Sequence, residues 1–212
     1  AAFRSWLDKR SVLIDARPLE KNDELFTADL AKLGAAEFEG KQALRFEKNE
    51  GLAVEDGPKL DAEKPFSISV SFYFPKAEQS YVVAAQQNPK EKNRGWVIDV
   101  GGRVPGFRMV GDGGKNIEIR AAHLVQLRHG SWNHIVVSYD GSRHQSGLSF
   151  YLNGRAVPTQ GGGNQNTEIL GDISVDNPLL LGKALAEGAI ADFRMFNRAV
   201  SESEARLLFE WP

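Results

Sequence analysis

The alternation of apolar and polar residues along the chain predicts a protein built almost entirely of β-strands. The clearest run covers residues 66–74, in which apolar side chains occupy every second position: Phe66, Ile68, Val70, Phe72 and Phe74, with Ser67, Ser69, Ser71 and Tyr73 between them. A period of two sends successive side chains to opposite faces of a sheet. This segment is therefore expected to bury one face and to turn the other outward.

Shorter runs of the same kind occur on both sides of this segment. They cover residues 43–47, 52–54, 81–86, 96–100, 106–110, 116–120, 133–139, 148–152, 179–181 and 189–196. Turn signals such as Asp140-Gly141 and Asn153-Gly154 separate many of them, as in hairpins. On the three middle strands, the outward positions hold Asp99, Arg108, Glu118 and Arg120, which predicts a cross-strand ladder of ion pairs.

The two ends of the chain have a different pattern. Residues 1–38 contain apolar residues at helical spacing around Phe3 and again from Leu25 to Leu33, which predicts one or two short helices ending at Gly34. We interpret this stretch as a small helical or irregular appendage that packs on a sandwich formed by residues 39–212. Near the other end, Ser201 and Glu204 form a capping-box signature, which predicts a short C-terminal helix.

Composition and charge exclude several classes of protein. The 212 residues include 26 Lys and Arg and 28 Asp and Glu, a net charge of −2 that is spread along the chain. This distribution argues against nucleic acid as a partner. No apolar run approaches the ~20 residues that a membrane span requires, so membrane insertion is not expected. The chain has no cysteine, which excludes disulfides, thiolate zinc sites and cysteine nucleophiles.

Several separated motifs resemble those of one known family. Residues 131–153 are SWNHIVVSYDGSRHQSGLSFYLN, residues 169–182 are ILGDISVDNPLLLG, and residues 188–201 are GAIADFRMFNRAVS. Their order and spacing are similar to those of laminin G-like, pentraxin-like domains of the concanavalin A-like superfamily, over roughly residues 40–210. The middle segment most resembles laminin G-like modules inside large bacterial secreted proteins that also carry cytochrome c-like domains.

The resemblance implies a fold and a function. The expected fold is a single antiparallel β-sandwich of jelly-roll type. The expected function is that of a non-catalytic module that binds carbohydrate or a protein surface, in an extracytoplasmic location (periplasmic, cell surface or secreted) and beside other domains of its parent chain. The alternative is a structural or protein–protein interaction domain with no sugar ligand.

The resemblance suggests calcium as a cofactor. Relatives that hold calcium tend to take ligands from the end of the opening strand and from the closing strand, where this chain has Glu47 and Asp192. The family often has Phe-Asp-Gly at the first place and two acids at the second, whereas here Glu47 follows Phe46 and Ala191 precedes Asp192. Because calcium requires several oxygen ligands at once, these departures weaken the inherited site.

Carbohydrate binding calls for exposed aromatic rings with polar groups beside them. Tyr73 and Tyr151 qualify, because each faces away from the apolar residues of its own strand. Asp99, Arg108 and Arg120 are the expected polar companions on neighbouring strands. The alternative interpretation is that both tyrosines pack beneath neighbouring segments.

The sequence does not favour an enzyme. Glycosidases of this superfamily carry paired acids at alternating strand positions, typically E-x-D-x-x-E, and this chain has no such run. None of its four histidines has a partner at metal-ligand spacing, and no G-x-S-x-G motif is present. A glycan-active hydrolase or lyase is therefore the least favoured alternative.

Overall fold

A computed structural model describes residues 23–29, 31–47, 51–55, 57–75, 80–161 and 167–211. Fifteen strands and one α-helix occur in these residues. In chain order they are β1 (Glu24–Thr27), β2 (Ala36–Phe38), β3 (Lys41–Arg45), β4 (Leu52–Val54), β5 (Phe66–Tyr73), β6 (Ser80–Asn88), β7 (Arg94–Gly101), β8 (Val104–Val110), β9 (Asn116–Ala121), β10 (Trp132–Tyr139), β11 (Leu148–Leu152), β12 (Arg155–Ala156), β13 (Thr159–Gly161), β14 (Leu179–Lys183), β15 (Ala189–Phe196) and α1 (Glu202–Glu210).

The strands form two antiparallel sheets that pack face to face. The first sheet has the order β12-β11-β10-β5-β15-β3-β2, and β1 also pairs with β15. The second sheet has the order β13-β9-β8-β7-β6-β14-β4. Strands β10 and β11 form the predicted hairpin, with Tyr139 opposite Leu148 at its turn end. The predicted jelly-roll β-sandwich is confirmed.

The core lies between the two sheets and follows the alternation of the sequence. On β5, Ile68, Val70 and Phe72 are completely buried in the core, as the pattern predicts. The second sheet contributes Trp96 and Phe107 to the same core. The alternation therefore assigns the inward faces of the central strands correctly.

Helix α1 packs on the outer face of the first sheet. Its predicted capping box is present: the Ser201 hydroxyl accepts from the Glu204 amide at 3.4 Å, and the Glu204 carboxylate accepts from the Ser201 amide at 2.8 Å. The buried Glu204 also binds the Arg198 guanidinium through both oxygens, and Arg198 reaches Asp23 at 3.2 Å. This charged cluster ties the helix to β15 and to the residue that precedes β1.

The helical prediction for the N-terminal region is wrong where the structure describes it. Leu25 and Phe26 lie in β1, which pairs with the end of β15, and residues 36–38 form the edge strand β2. Phe26 packs edge-on against Phe193, with ring centroids 6.2 Å apart. Pairing with a distant strand thus outweighs the local helical spacing. The helix predicted around Phe3 lies outside the described residues.

Within the part of the chain that the structure describes, no helix has the length and apolar character needed to cross a membrane. Helix α1 has nine residues and a charged first turn.

Candidate functional site

Helix α1 covers one half of the outer face of the first sheet, and Tyr151 lies beneath it. The ring is 8% exposed and packs with Val136, Phe196 and Leu208, while its hydroxyl lies 3.4 Å from the Val200 carbonyl oxygen. Burial raises the pKa of the Tyr151 hydroxyl. Alternation therefore predicts the correct face for Tyr151, but a helix covers that face and no ring surface is left for a ligand.

The other half of this face carries three partly exposed aromatic rings, which we call the aromatic patch: Phe38, Tyr73 and Trp132. Their centroids are 5.0 Å apart for Phe38 and Tyr73, 6.0 Å for Tyr73 and Trp132, and 6.1 Å for Phe38 and Trp132. All three pairs are edge-to-face contacts, the arrangement that aromatic quadrupoles favour. Strand pairing produces this cluster, because Trp132 at the start of β10 lies directly opposite Tyr73 at the end of β5.

The three rings of the patch pack against small side chains of the sheet. Ala43, Ala189 and Ala191 are buried against the patch, and Ala189 is the direct neighbour of Tyr73 on β15. Because alanine is short, the larger rings stand clear of the strands beside them. The Trp132 ring is also fixed in place, since its indole N–H donates to the Glu39 carbonyl oxygen at 3.0 Å.

Charged side chains border the patch. The Lys41 ammonium donates to the Asp192 carboxylate at 2.9 Å and lies 5.9 Å from the centroid of the Trp132 ring. Each member of this ion pair is 25% exposed, so both remain within reach of solvent. The Arg45 guanidinium lies over the Phe38 ring, 4.9 Å from its centroid. Both cations lie within the range of cation–π contacts.

Asp192 reaches this position because β15 contains a β-bulge. Ala191 pairs with Ser71 and Arg194 with Ser69, so Asp192 and Phe193 together face the single residue Val70. Asp192 has a φ of 52°, a conformation that L residues seldom adopt. A bulge of this kind redirects a side chain. Here it directs the Asp192 carboxylate to Lys41.

His134 lies buried in the same face, between the patch and helix α1. Its Nε2 is 2.9 Å from the Ser69 hydroxyl, and its ring lies 5.9 Å from the Phe209 ring of α1. Burial lowers the pKa of His134 to about 4, Asp192 opposes this shift, and Lys41 adds to it. The imidazole is therefore neutral near pH 7. Because Ser69 and His134 are 2% and 3% exposed, a substrate cannot reach this pair.

The predicted ladder on the second sheet is present but lies on the opposite side of the sandwich. Arg120 binds Asp99 at 2.8 Å and Glu118 at 2.7 Å. Gly106 lies between Asp99 and Arg120 in the sheet, and a Cβ there would meet Arg120 Cγ at 2.9 Å, so glycine lets the arginine cross the strand. Burial is the main cause that raises the pKa of Asp99, although Arg120 opposes it.

Arg108 lies beside this ladder, with its Nε buried and without a hydrogen-bond partner among the described residues. The structure therefore separates the five predicted ligand-binding residues into three places. Tyr73 is in the aromatic patch, Tyr151 is under the helix, and Asp99, Arg108 and Arg120 are on the outer face of the second sheet.

The two expected calcium ligands are not brought together. Glu47 follows β3 at the end where Phe46 exchanges backbone hydrogen bonds with the segment before β15, whereas Asp192 meets Lys41 at the opposite end of β3. In the described ranges, no group of three or more His, Asp or Glu side chains could hold a metal. A calcium site at Glu47 and Asp192 stays a prediction.

Phe38, Lys41 and Trp132 are site residues that were not predicted from the sequence. A signal existed for Trp132, because it is in phase with His134 and out of phase with the core residues Ile135 and Val137. No comparable signal existed for Phe38 and Lys41, since their hairpin is brought to the patch by pairing between the distant strands β3 and β15.

Comparison with solved structures finds binding domains of Paraclostridial Mosquitocidal Protein 1 and of botulinum neurotoxins. The binding domain of Paraclostridial Mosquitocidal Protein 1 superimposes with a TM-score of 0.62 at 18% identity, covering 88% of this chain and 46% of that one. The Botulinum Neurotoxin serotype G binding domain has a TM-score of 0.53 at 16% identity, covering 71% and 37%. The binding domain of Botulinum Neurotoxin DC, in complex with rat synaptotagmin II, has a TM-score of 0.52 at 15% identity, covering 70% and 36%.

At these identities the comparisons establish the fold alone, and this chain spans less than half the length of each of the three neighbours. No curated protein sequence matches the chain significantly. One family model, Laminin_G_3, described as the concanavalin A-like lectin/glucanases superfamily, matches residues 46–206. This match covers more than half of the chain and includes all the motifs of the second half. The chain therefore belongs to the Laminin_G_3 family of the concanavalin A-like lectin/glucanases superfamily.

Proposed function

We propose that this domain is a non-catalytic module that binds carbohydrate through the aromatic patch. The observation that carries the proposal is the set of partly exposed rings of Phe38, Tyr73 and Trp132 beside the ion pair of Lys41 and Asp192. A pyranose has an apolar face that stacks on aromatic rings and a rim of hydroxyls that needs donors and acceptors. The patch supplies both within one surface.

The second sheet fits a sugar less well. Its outer face presents Val82, Ala85 and Val97 from β6 and β7, and none of the outward side chains of β6 to β9 is aromatic. Three of its charged groups are already paired, since Arg120 holds both Asp99 and Glu118. A sugar on this face would have to compete with existing ion pairs and would find no ring to stack on.

Catalysis is not part of the proposal. Hydrolysis of a glycosidic bond by the usual route requires two carboxyl groups placed ~5–10 Å apart across the bond. At the aromatic patch, the Asp192 carboxylate is already bound to Lys41 at 2.9 Å.

A protein ligand is the second class to be tested, because tyrosine and tryptophan are also enriched at protein interfaces. Among the structural neighbours, one Botulinum Neurotoxin DC binding domain is in complex with rat synaptotagmin II and another is in complex with SialylT. We further propose an extracytoplasmic location and a longer parent chain with cytochrome c-like domains. The motif resemblance of residues 169–182 supports this context.

A glycan-array screen of the purified domain tests the proposal, followed by titration calorimetry with any glycan retained. The variants are Tyr73→Ala and Trp132→Ala, and the matched control is Trp211→Ala, which removes a tryptophan that is 43% exposed outside the patch. Loss of a central aromatic anchor weakens binding by about 30-fold or more. We expect this loss in both patch variants and unchanged affinity in the control.

Each titration is repeated with calcium and with a chelator, which tests the predicted metal site separately. Urea unfolding of each variant shows whether lost binding reflects lost folding. Wild-type protein that retains no glycan in either buffer, or patch variants that bind as wild type does, would contradict the proposal. In the first case the same variants should be compared in a screen for protein partners.

A further inference from the structure

Arg45 is an exposed cation at the aromatic patch, and within the described ranges no carboxylate is bound to it. Its guanidinium contacts the face of the Phe38 ring, 4.9 Å from the centroid, and among the described residues it has no carboxylate or hydrogen-bond acceptor. A guanidinium that lies over a ring keeps its N–H donors available at its edge. Arg45 is therefore oriented by Phe38 and free to bind a ligand.

Two more arginines lie on the first sheet or beside it, but only Arg128 lies on a loop that borders the patch. Arg194 is partly buried on β15, opposite Ser69, which is four residues before Tyr73 on β5. Arg128 is exposed on the loop before β10, and the Asn133 side chain fixes this loop by accepting from the Arg128 amide at 3.0 Å and donating to its carbonyl at 2.8 Å. Neither arginine has a carboxylate partner in the described part of the chain.

The loop of Arg128 borders the patch directly. A Cβ at Gly130 would lie 3.8 Å from the Tyr73 hydroxyl, so the backbone of this loop passes beside the tyrosine. The Gly130 amide donates to the Phe74 carbonyl at 2.8 Å, which fixes the loop against the end of β5. Arg45 therefore lies beside Phe38 at the patch, and the loop that carries Arg128 passes beside Tyr73.

The acids near the patch leave Arg45 unpaired. Asp192 is bound to Lys41, and Glu37 and Glu39 flank Phe38 along the chain. None of these acids is paired with Arg45 in the described part of the chain. Strand pairing places Arg45 of β3 beside Ala189 of β15, whose other neighbour in the sheet is Tyr73.

We infer that the aromatic patch selects acidic glycans, in which a carboxylate or sulfate group lies beside the stacked sugar ring. The ring stacks on Tyr73 and Trp132, and the anion accepts charge-assisted hydrogen bonds from the Arg45 guanidinium. Such bonds are about twice as strong as those between neutral groups. This inference rests on the proposed carbohydrate function and names the ligand class for the same surface.

The experiment compares probes that differ only in charge. Oligogalacturonate is titrated against its fully methyl-esterified form, which keeps the sugar rings and removes the carboxylate charge. Dextran sulfate oligosaccharides are titrated against unmodified dextran oligosaccharides, which separates sulfate from carboxylate as the preferred group. We expect at least one anionic probe to bind about tenfold tighter than its neutral counterpart, since a hydrogen bond to a charged group contributes that order of free energy.

Arg45→Gln removes the cation and leaves the rings in place. We expect this variant to bind the anionic and neutral probes equally, and Arg45→Lys to retain part of the preference. The matched control is Arg155→Gln, because Arg155 is also exposed and has no carboxylate partner among the residues that the structure describes, but lies on β12, at the other edge of the first sheet. Added salt should weaken the anionic probe selectively.

The outcomes separate the two proposals. Equal affinity of wild-type protein for charged and neutral probes, with loss of both in Trp132→Ala, would overturn the acidic-glycan inference and leave carbohydrate binding intact. A preference that survives Arg45→Gln would overturn the assignment of the anion to Arg45. If neither the four probes nor the glycan array yields binding, both proposals fail together.

Discussion

Acidification is predicted to destabilise this domain through His134. The folded protein lowers the pKa of this imidazole to about 4, because the ring is 3% exposed and burial penalises the imidazolium. In the unfolded chain the pKa of histidine is about 6.5. Between these two values the unfolded state binds more protons than the folded state, so the free energy of unfolding falls as the pH falls.

The magnitude follows from the two pKa values. Between about pH 7.5 and about pH 5, linkage gives a loss of about 2 kcal/mol in the free energy of unfolding. Lys41, Arg194 and Asp192 lie around the ring, and the two cations strengthen the effect while the carboxylate weakens it. Near pH 5 most carboxylates are still ionised, so this window isolates the histidine from the acids that titrate lower.

Urea unfolding followed by tryptophan fluorescence measures this effect at several pH values. His134→Gln should remove the pH dependence in this window, whereas His144→Gln, which changes an exposed histidine, should leave it as in wild type. Curves for wild type and His134→Gln that run parallel from about pH 7.5 to about pH 5 would refute the reasoning, because the buried imidazole would then make no differential contribution.

Three further predictions concern stability. Glu204→Ala should lower the free energy of unfolding, measured by urea unfolding, by about 3 kcal/mol, because it removes a buried carboxylate from a partly buried arginine. The control Glu210→Ala, on the exposed end of the same helix, should change this free energy by under about 1 kcal/mol. Tyr151→Ala should cost about 3 kcal/mol by the same assay and leave glycan affinity unchanged in calorimetry, since the ring packs under the helix. Gly95→Ala should prevent soluble expression, because its Cβ would lie 2.0 Å from a backbone carbonyl oxygen. The control Gly113→Ala has open space around its Cβ and should lower the free energy of unfolding, measured by thermal unfolding, by only about 1 kcal/mol.

The strands of the sandwich were predictable because a strand with one buried face has apolar residues at every second position. Phe66 and Phe72 lie where the alternation places them, and β11 and β15 have the predicted bounds. The capping box of Ser201 and Glu204 was equally local, since both halves of the motif lie within one turn of helix. In each case the residues that determine the structure are neighbours in the chain.

The N-terminal strands were missed because their stabilising contacts are distant. Leu25 and Phe26 have the spacing of a helix, yet β1 gains its hydrogen bonds from β15, about 170 residues later in the chain. The edge strand that carries Phe38 depends in turn on β3, which pairs with β15. No local pattern in residues 24–38 contains that information.

The candidate site was only partly predictable for a related reason. Alternation identifies the face on which Tyr73 and Tyr151 lie, but it does not say whether another element covers that face. Tyr73 meets Trp132 and Phe38 in the open half, whereas helix α1 closes the half that holds Tyr151. The polar companions were placed on the wrong side because Asp99 and Arg120 belong to the second sheet.

Asp192 is, in geometric terms, a supernumerary residue of β15. Before it, Ile190 faces the core and Ala191 faces outward; after it, Phe193 faces the core and Arg194 faces outward. If Asp192 were struck from the sequence, the remaining residues would alternate without interruption. The alternation of β15 therefore does not depend on Asp192, whose carboxylate instead contributes an ion pair with Lys41 to the surface that it meets.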